Sequence, residues 1–184
     1  MQKSVTTPRP AGPSTVATLL DPAALACLLA ALGVGLILGA FAFEYIGGIK
    51  PCHLCLGQRL PWPIMTIVAG VAMLGLRRGA HPMLAPAAFA AAFAIALWSA
   101  YLAGLHAGVE WKWWLGPPTC TSTGVPTGGF SGSFNPSDII RCDEVAWSLF
   151  GLSLAGYNFI FSLVALAAAG LGAVKTMRRS ASAA

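Results

Sequence analysis

Four long apolar runs divide this chain and constrain its fold more than any other feature. They cover about residues 23–45, 57–76, 84–105 and 145–174. A helix needs about 20 apolar residues to cross the hydrocarbon core of a bilayer, and it satisfies its own backbone hydrogen bonds there. Only 9% of the residues are charged, against about 25% in soluble domains. The sequence therefore predicts an all-α membrane protein, a four-transmembrane-helix bundle in a lipid bilayer.

Local signals indicate where this membrane domain begins and ends, at about residues 21–176. Asp21 followed by Pro22 is typical of a helix start, with aspartate as the N-cap and proline in the first turn. Residues 1–20 contain several prolines and no periodic apolar pattern, which predicts a disordered tail. A shorter tail is predicted at residues 177–184.

The distribution of basic residues predicts the orientation of the four spans. Four spans place both termini on one side of the membrane, together with the connection between the second and third spans. That side carries seven basic residues and the other side four. Because cytoplasmic loops are enriched in Lys and Arg, both termini are predicted to be cytoplasmic. The connections 46–56 and 106–144 then face an outer, oxidising compartment.

The net charge of +5 does not indicate a nucleic-acid-binding protein. The eleven basic residues are scattered along the chain and do not cluster on one face, whereas nucleic-acid-binding domains concentrate them in a patch or stripe. No nucleic-acid partner is predicted.

Five cysteines are present, and four of them lie in the two outward connections. These four are Cys52, Cys55, Cys120 and Cys142, whereas Cys27 lies inside the first apolar run. Disulfides persist in oxidising compartments, so the predicted orientation and the placement of the cysteines agree. The spacing of Cys52 and Cys55 suits thiol redox chemistry, half of a zinc site or a structural disulfide.

The zinc and structural alternatives have weaker support than redox chemistry, although both stay open. A structural zinc site typically has two Cys-x-x-Cys knuckles, and Cys120 and Cys142 lie 22 residues apart. A disulfide across two residues is geometrically demanding, and such bridges tend to be labile. Cys55 also lies near the predicted start of the second helix, one turn before Arg59. The helix dipole and this arginine are both expected to favour a thiolate at Cys55.

Two segments of the sequence resemble the signatures of the DsbB family, the quinone-dependent membrane proteins that generate disulfides. The first is Pro51-Cys52-His53-Leu54-Cys55-Leu56-Gly57-Gln58-Arg59, which is similar to the family pattern Pro-Cys-x-Leu-Cys-x-x-Gln-Arg. The second begins at Cys142-Asp143-Glu144, continues from Trp147 to Asn158 and resembles the segment at the start of the family's last helix. The resemblance extends over about residues 23–175.

The resemblance implies a thiol:quinone oxidoreductase with a defined order of cysteines. A periplasmic, DsbA-like thioredoxin-fold partner is expected to attack Cys120. The partner cysteine in the same loop, Cys142, is expected to pass the electrons to Cys52, and Cys55 to contact a bound quinone. Arg59 matches the arginine that stabilises the quinone oxygen and the thiolate–quinone charge transfer.

The family also implies a cofactor, a location and one further site residue. The cofactor is a membrane quinone, with ubiquinone favoured over menaquinone, and no metal is expected. The location is the bacterial inner membrane, with the active cysteines on the periplasmic side. His106 is matched to a family histidine near the quinone. Two alternatives remain: a vitamin K epoxide reductase-like enzyme, and a non-catalytic scaffold of four spans stapled by two disulfides.

Overall fold

The computed structural model describes residues 20–77, 81–117, 120 and 141–183. The chain is mostly helical. Its helices and strands are α1 (Pro22–Phe41), α2 (His53–Gly57), α3 (Pro61–Gly75), α4 (Leu84–Glu110), β1 (Ser148–Leu149), β2 (Leu152–Ser153) and α5 (Leu154–Ala183). The tail predicted at residues 1–20 lies outside the described residues except for residue 20, as do residues 121–140 of the predicted connection 106–144. The tail predicted at residues 177–184 instead continues α5 as far as Ala183.

Helix α1 begins where the sequence predicts and ends in an irregular turn. The Asp21 side chain accepts a hydrogen bond from the Ala23 N–H at 3.2 Å, which confirms the predicted N-cap. The chain then continues through a π-helical turn, Ala42–Ile46. This wider turn contains Glu44, whose side chain lies beside the candidate site described below.

The second apolar run forms one helix, α3, and a separate short helix, α2, precedes it, mostly in the predicted connection 46–56. The short helix α2 has Cys52 as its N-cap, and α3 begins at Pro61, which occupies its first position. Because proline has no N–H, Pro61 cannot donate a hydrogen bond to the carbonyl of Gly57, and the helix is interrupted there. The predicted single helix over residues 57–76 therefore starts later than expected.

Helix α4 is longer than predicted at its C-terminal end. It continues to Glu110, whereas the apolar run suggested an end near residue 105. His106 and Glu110 therefore lie on the last turns of a helix and not in the connection that follows. Both side chains are buried there, with exposures of 4% and 5%.

A β-hairpin precedes the last helix and replaces the helical start predicted at residue 145. The strands pair Ser148 with Ser153 and Leu149 with Leu152. The two residues between the strands, Phe150 and Gly151, have φ angles of 50° and 80°. Positive φ at both central positions matches the twist of a two-residue hairpin, and no helix continues through that conformation.

The helices pack around a core of small and large apolar side chains. Helix α4 packs most extensively on α5 and also on α3, and α1 closes the arrangement against α3 and α5. Alanines dominate the core, with Leu25, Leu29, Trp62, Met65 and Phe89 as its larger members. At Gly33 an added Cβ would collide with Thr66 and with the Trp62 carbonyl. Small residues thus bring α1 and α3 into close contact, as is common between membrane helices.

Among the residues that the structure describes, three helices are long and apolar enough to cross a membrane: Pro22–Ile46, Leu84–Glu110 and Leu154–Ser182. Helix α3 has 15 residues, which gives a length of about 22 Å. That is shorter than a hydrocarbon core of about 30 Å. The break at Pro61 therefore leaves α2 and the turn before α3 at the same end of the molecule as the cysteines.

Candidate active site

The Cys-x-x-Cys pair lies at the start of α2 with both thiols free. Cys52 is buried and caps the helix, and its sulfur accepts a hydrogen bond from the backbone N–H of Cys55 at 3.2 Å. A side-chain acceptor at an N-cap normally satisfies one of the free N–H groups of the first turn. Here a sulfur takes that position, so the helix terminus stabilises negative charge on Cys52.

His106, on α4, contacts the same sulfur from the opposite side. Its Nε2 lies 3.7 Å from the Cys52 Sγ, and its Nδ1 lies 2.6 Å from the Gln58 Nε2. Sulfur acceptors tolerate longer contacts than oxygen because the atom is larger. The predicted site residues Cys52, Cys55 and His106 are thus brought together, although they come from distant parts of the chain.

These contacts give the two thiols opposite acidities. Hydrogen bonds from the Cys55 thiol and then from His106 and the Cys55 N–H, acting against burial, lower the pKa of Cys52 to about 4. The Cys52 sulfur in turn raises the pKa of Cys55 far above its ordinary value, and burial adds to this effect. The expectation of a thiolate at Cys55 is wrong for this free pair, in which Cys52 is the ionised sulfur.

We expect the thiolate absorbance of the reduced protein in the ultraviolet to persist down to about pH 4. The pKa of Cys52 is depressed, so the thiolate is present above that pH and is lost as the pH falls through it. The measurement is a spectroscopic pH titration, and Cys52→Ser is the variant that should abolish the acidic transition. A transition near pH 8.5, the ordinary range of a free cysteine, would contradict this assignment.

The second cysteine pair is joined by a disulfide and lies against the first pair. Cys120 and Cys142 are bonded, with their Cα atoms 5.0 Å apart. Both are fully buried and pack with Cys52 in one cluster, against which Cys55 and Leu54 also pack. All four predicted cysteines are therefore neighbours, which is the minimum requirement for thiol–disulfide exchange between the pairs.

Charged side chains fix the segment around Cys142 to the end of α4. The Lys112 Nζ contacts the backbone carbonyl and the carboxylate of Asp143, at 2.6 and 2.8 Å. Arg141 binds the same carboxylate through two nitrogens. Arg141, then Lys112, holds the pKa of Asp143 far below its usual range. These exposed contacts keep Cys142 close to Cys52.

Arg59 lies at the site but already has a carboxylate partner. Its Nη1 donates to the Glu44 Oε2, and its guanidinium lies over the Phe41 ring, 5.4 Å from the centroid. Both members of this ion pair are about one-fifth exposed. Arg59 and Cys55 line the same cavity. The pairing of Arg59 with Glu44 was not predictable from the sequence, because the two residues lie 15 positions apart and Glu44 is placed by the π-helical turn.

Sequence reasoning also missed a chain of polar side chains behind His106. Asn158 on α5 donates to the Gln58 Oε1 at 2.6 Å, and the Trp62 indole donates to the Asn158 Oδ1 at 3.0 Å. Gln58 and Asn158 belong to the two quoted signatures, but their partners lie 48 to 100 residues away in sequence. No local pattern could have paired them.

A second set of polar side chains contacts His106 from the C-terminal end of α4. The Glu110 Oε1 lies 3.8 Å from the His106 Nε2, one turn apart on α4. The Ser153 hydroxyl donates to the other oxygen of Glu110 and accepts from the Gly156 N–H at 3.1 Å. The hairpin therefore places a hydrogen-bond donor on a buried carboxylate.

These groups open onto a largely apolar cavity of about 360 Å³. Its polar lining includes Cys52, Cys55, Arg59, His106 and Glu110, and its apolar wall includes Gly35 and Gly39 of α1. An added Cβ at either glycine would meet no other atom within 4 Å, so the absent side chains leave this wall open. The cavity suits an apolar molecule that carries a few polar atoms, the usual character of a ligand site.

The donor atoms of Cys52, Cys55 and His106 lie within 4.8 Å of one another, a spacing that could also hold a soft metal ion. A zinc site built from all four cysteines, which the sequence left open, does not match the structure. Cys120 and Cys142 are bonded to each other, and a disulfide offers no thiolate to a metal.

Comparison with known proteins gives a consistent result. The family model described as disulfide bond formation protein DsbB matches residues 22–172. Among curated relatives named disulfide bond formation protein B, one from Polaromonas naphthalenivorans (strain CJ2) is 27% identical over 165 residues, covering 82% of this chain and 91% of the relative. Another from Methylococcus capsulatus (strain Bath) is 28% identical, covering 85% and 94%. No solved structure gives a significant match.

Proposed function

The chain belongs to the DsbB family, and we propose on this basis that it reoxidises a periplasmic, DsbA-like dithiol protein and passes the electrons to a membrane quinone. Family membership and three membrane-length apolar helices make it a multi-pass bacterial membrane oxidoreductase that forms disulfides. The identity of the electron donor and acceptor is the proposal. The observation that carries it is the packing of two cysteine pairs, one bonded and one free, beside an apolar cavity.

The residues around the cavity fit a quinone. The ring and its isoprenoid tail are apolar and match the lining at Gly35 and Gly39, whereas the carbonyl oxygens need a hydrogen-bond donor, which Arg59 supplies. Cys55 is half-buried and faces the same space. A bound quinone supplies an acceptor for two electrons and two protons. Ubiquinone is the proposed form, with menaquinone as the alternative.

The loop disulfide is the proposed entry point for electrons. A thiolate of the partner attacks Cys120, which forms a mixed disulfide and releases Cys142 as a thiolate. The second thiol of the partner then displaces Cys120, and the partner leaves with its own disulfide. Both loop sulfurs are fully buried, so docking of the partner has to expose Cys120.

The released Cys142 is proposed to carry the electrons to the first pair. Its thiolate attacks Cys52 in a Cys52–Cys55 disulfide and frees Cys55. When Cys120 then attacks Cys142, the loop disulfide re-forms and Cys52 leaves as a thiolate. The end state has Cys120 bonded to Cys142 and two free thiols at the first pair, the same covalent arrangement as in the structure.

The acidities of the two thiols suit this order. Cys52 ionises readily, which makes it a good leaving group when Cys120 attacks Cys142. While Cys52 is bonded to Cys142 it carries no charge, so the largest of the interactions that raise the pKa of Cys55 is absent and only burial and Glu110 still raise it. Cys55 ionises more readily in that intermediate, beside Arg59, and the thiolate predicted from the sequence is assigned to it.

We further propose four membrane spans with both termini in the cytoplasm. The 15 residues of α3 are too short to cross the hydrocarbon core of the bilayer, and α2 with the turn after it would span the remaining thickness. The four active cysteines would then lie on the periplasmic side of the inner membrane. The arrangement is testable in intact cells with a membrane-impermeant thiol reagent and single cysteines introduced at exposed positions: Lys50→Cys and Lys112→Cys should react, and Arg77→Cys should react only after the cells are opened.

The proposed activity is tested with the purified protein in lipid vesicles. A reduced thioredoxin-fold partner should be oxidised rapidly when ubiquinone is present and slowly when the vesicles contain no quinone. Replacing ubiquinone by menaquinone identifies the preferred acceptor. Oxidation of the partner at the same rate with and without quinone would contradict the proposal.

Replacing Arg59 by methionine should raise the quinone KM by about tenfold and leave the partner KM nearly unchanged. The guanidinium lines the cavity with Cys55, whereas neither cysteine of the loop disulfide lines it. Steady-state kinetics with each substrate varied in turn gives the two values. Arg59→Lys keeps the positive charge and should recover part of the loss.

The substitution also leaves Glu44 without its partner, which calls for a control. In the double variant Arg59→Met/Glu44→Gln no unpaired carboxylate remains, and the quinone KM should stay high. A return to the wild-type KM would assign the effect to Glu44 and not to lost quinone binding.

A further inference from the structure

The polar chain behind His106 has a direction that one residue determines. An indole N–H is a hydrogen-bond donor only, and the Trp62 indole donates to Asn158 at 3.0 Å. Asn158 must therefore present its oxygen to Trp62 and its NH₂ group to Gln58. Trp62 is 2% exposed and belongs to the core between the helices, so no water competes for this contact.

The direction set at Trp62 passes through the second amide to the imidazole. Because Asn158 presents its NH₂ group, Gln58 must present its oxygen, at 2.6 Å. The Gln58 NH₂ group then points to the His106 Nδ1, also at 2.6 Å. A ring nitrogen that faces a donor has to be an acceptor, so Nδ1 carries no proton.

We infer that Trp62, acting through Asn158 and Gln58, holds His106 as the neutral tautomer with its proton on Nε2, directed at the Cys52 sulfur. Trp62 is thus a positioning residue for the first cysteine pair. The inference rests on the proposed function only for its consequence in the reaction, since the tautomer itself is a property of the resting protein.

Two groups that face Nε2 are consistent with a proton there. They are the Cys52 sulfur at 3.7 Å and a Glu110 oxygen at 3.8 Å, and both are acceptors when ionised. The backbone of Cys142, whose carbonyl is also an acceptor, lies against the same ring. A doubly protonated ring would direct Nδ1–H at the NH₂ group of Gln58, donor against donor. The ionised groups beside Nε2 attract a positive ring, but only the neutral form with its proton on Nε2 satisfies every hydrogen bond of the polar chain, since Nδ1 faces the Gln58 NH₂ group.

The fixed tautomer has two consequences for the site. A neutral ring with its proton on Nε2 has no free electron pair toward Cys52, so His106 stabilises the thiolate and does not remove a proton from the thiol. The same proton opposes metal binding at the Cys52, Cys55 and His106 cluster, because a histidine ligand needs a bare nitrogen. The polar chain thus favours thiol chemistry over a metal at this position.

Nitrogen NMR of ¹⁵N-histidine-labelled protein tests the inference without partner or quinone. The chain has three histidines, of which His53 and His81 can be replaced by glutamine to leave one signal set. In the chemically reduced protein, His106 should show a bare Nδ1 and a protonated Nε2. A protonated Nδ1 in this sample would overturn the inference.

Two variants test whether Trp62 and Asn158 determine the tautomer of His106. Asn158→Asp provides acceptors only, so Gln58 must turn its NH₂ group toward the carboxylate and its oxygen toward His106. The signals of the two ring nitrogens should swap their positions, because the proton is then on Nδ1. Without the Nε2 proton the Cys52 thiol should be an acid about tenfold weaker, which raises the midpoint of its titration by about one pH unit. Trp62→Phe removes the anchor, and the two ring signals should move toward an average.

A matched control separates this effect from a general loss of packing. Thr176→Val removes a buried hydrogen bond to the Gly172 carbonyl on α5, keeps the side-chain shape, involves no member of the polar chain, and should leave the His106 signals unchanged. Unchanged signals in Asn158→Asp would also overturn the inference, even if Trp62→Phe does not fold. A protein with the expected tautomer but no quinone reduction would uphold the inference and reject the proposed function.

Discussion

Replacing Cys55 by serine is expected to lower quinone reduction by at least about 1,000-fold, which is the scale of losing a reacting nucleophile. Cys55 is the half-buried thiol of the free pair, and it faces the cavity together with Arg59. A serine hydroxyl can neither form the disulfide nor release electrons on closing it. The loss should be the same with a partner protein or with a small dithiol as electron donor.

The control for this variant is the remaining cysteine of the chain. Cys27 lies exposed on α1, outside the cluster of the other four, and Cys27→Ser should keep the wild-type rate. The measurement is the decrease in quinone absorbance as the quinone is reduced. Loss of this decrease in Cys27→Ser, or its persistence in Cys55→Ser, would contradict the assignment of Cys55 as the electron exit.

Replacing Cys142 by serine is expected to block electron entry while leaving electron exit intact. Without the Cys120–Cys142 disulfide, the partner has no bond to attack in the loop, and partner-dependent turnover should fall by about 1,000-fold. A small dithiol that reduces the Cys52–Cys55 disulfide directly should still support quinone reduction. The ratio of the partner-dependent rate to the dithiol-dependent rate should therefore fall in Cys142→Ser and stay unchanged in Cys55→Ser. This comparison distinguishes the entry of electrons from their exit.

The entry residue itself is identified by trapping. A Cys52→Ser/Cys55→Ser variant keeps the loop disulfide but has no onward acceptor, and a reduced partner with a single reactive cysteine should attack it. Alkylation of the released thiol prevents reversal. Mass spectrometry should find the partner on Cys120 and the alkyl group on Cys142; the opposite assignment would reverse the proposed order.

The helical regions were largely predictable because apolar length and end signals are local. The Asp21 cap and three membrane-length helices follow from the residues at each position. The hairpin at Phe150 and Gly151 was not predictable from the apolar pattern. The residues around it are apolar on all faces, so periodicity cannot distinguish helix from strand, and a positive φ at a bulky residue is uncommon.

The four cysteines could be predicted from their spacing and their placement, but the acidity of the first pair could not. A helix start was expected to favour ionisation of Cys55. The cap geometry instead directs the Cys55 N–H at the Cys52 sulfur, and His106 contacts that sulfur from another helix. Which thiol ionises depends on a contact across 54 residues of sequence, and no local pattern contains it.

The most direct test of the central claim is the stoichiometry of an anaerobic reaction in lipid vesicles. The proposed relay predicts that one quinone is reduced for each disulfide formed in the partner, measured by quinone absorbance and by titration of the partner's thiols. Oxidation of the partner with no loss of quinone absorbance would contradict the relay. So would a reaction that proceeds only when oxygen is admitted.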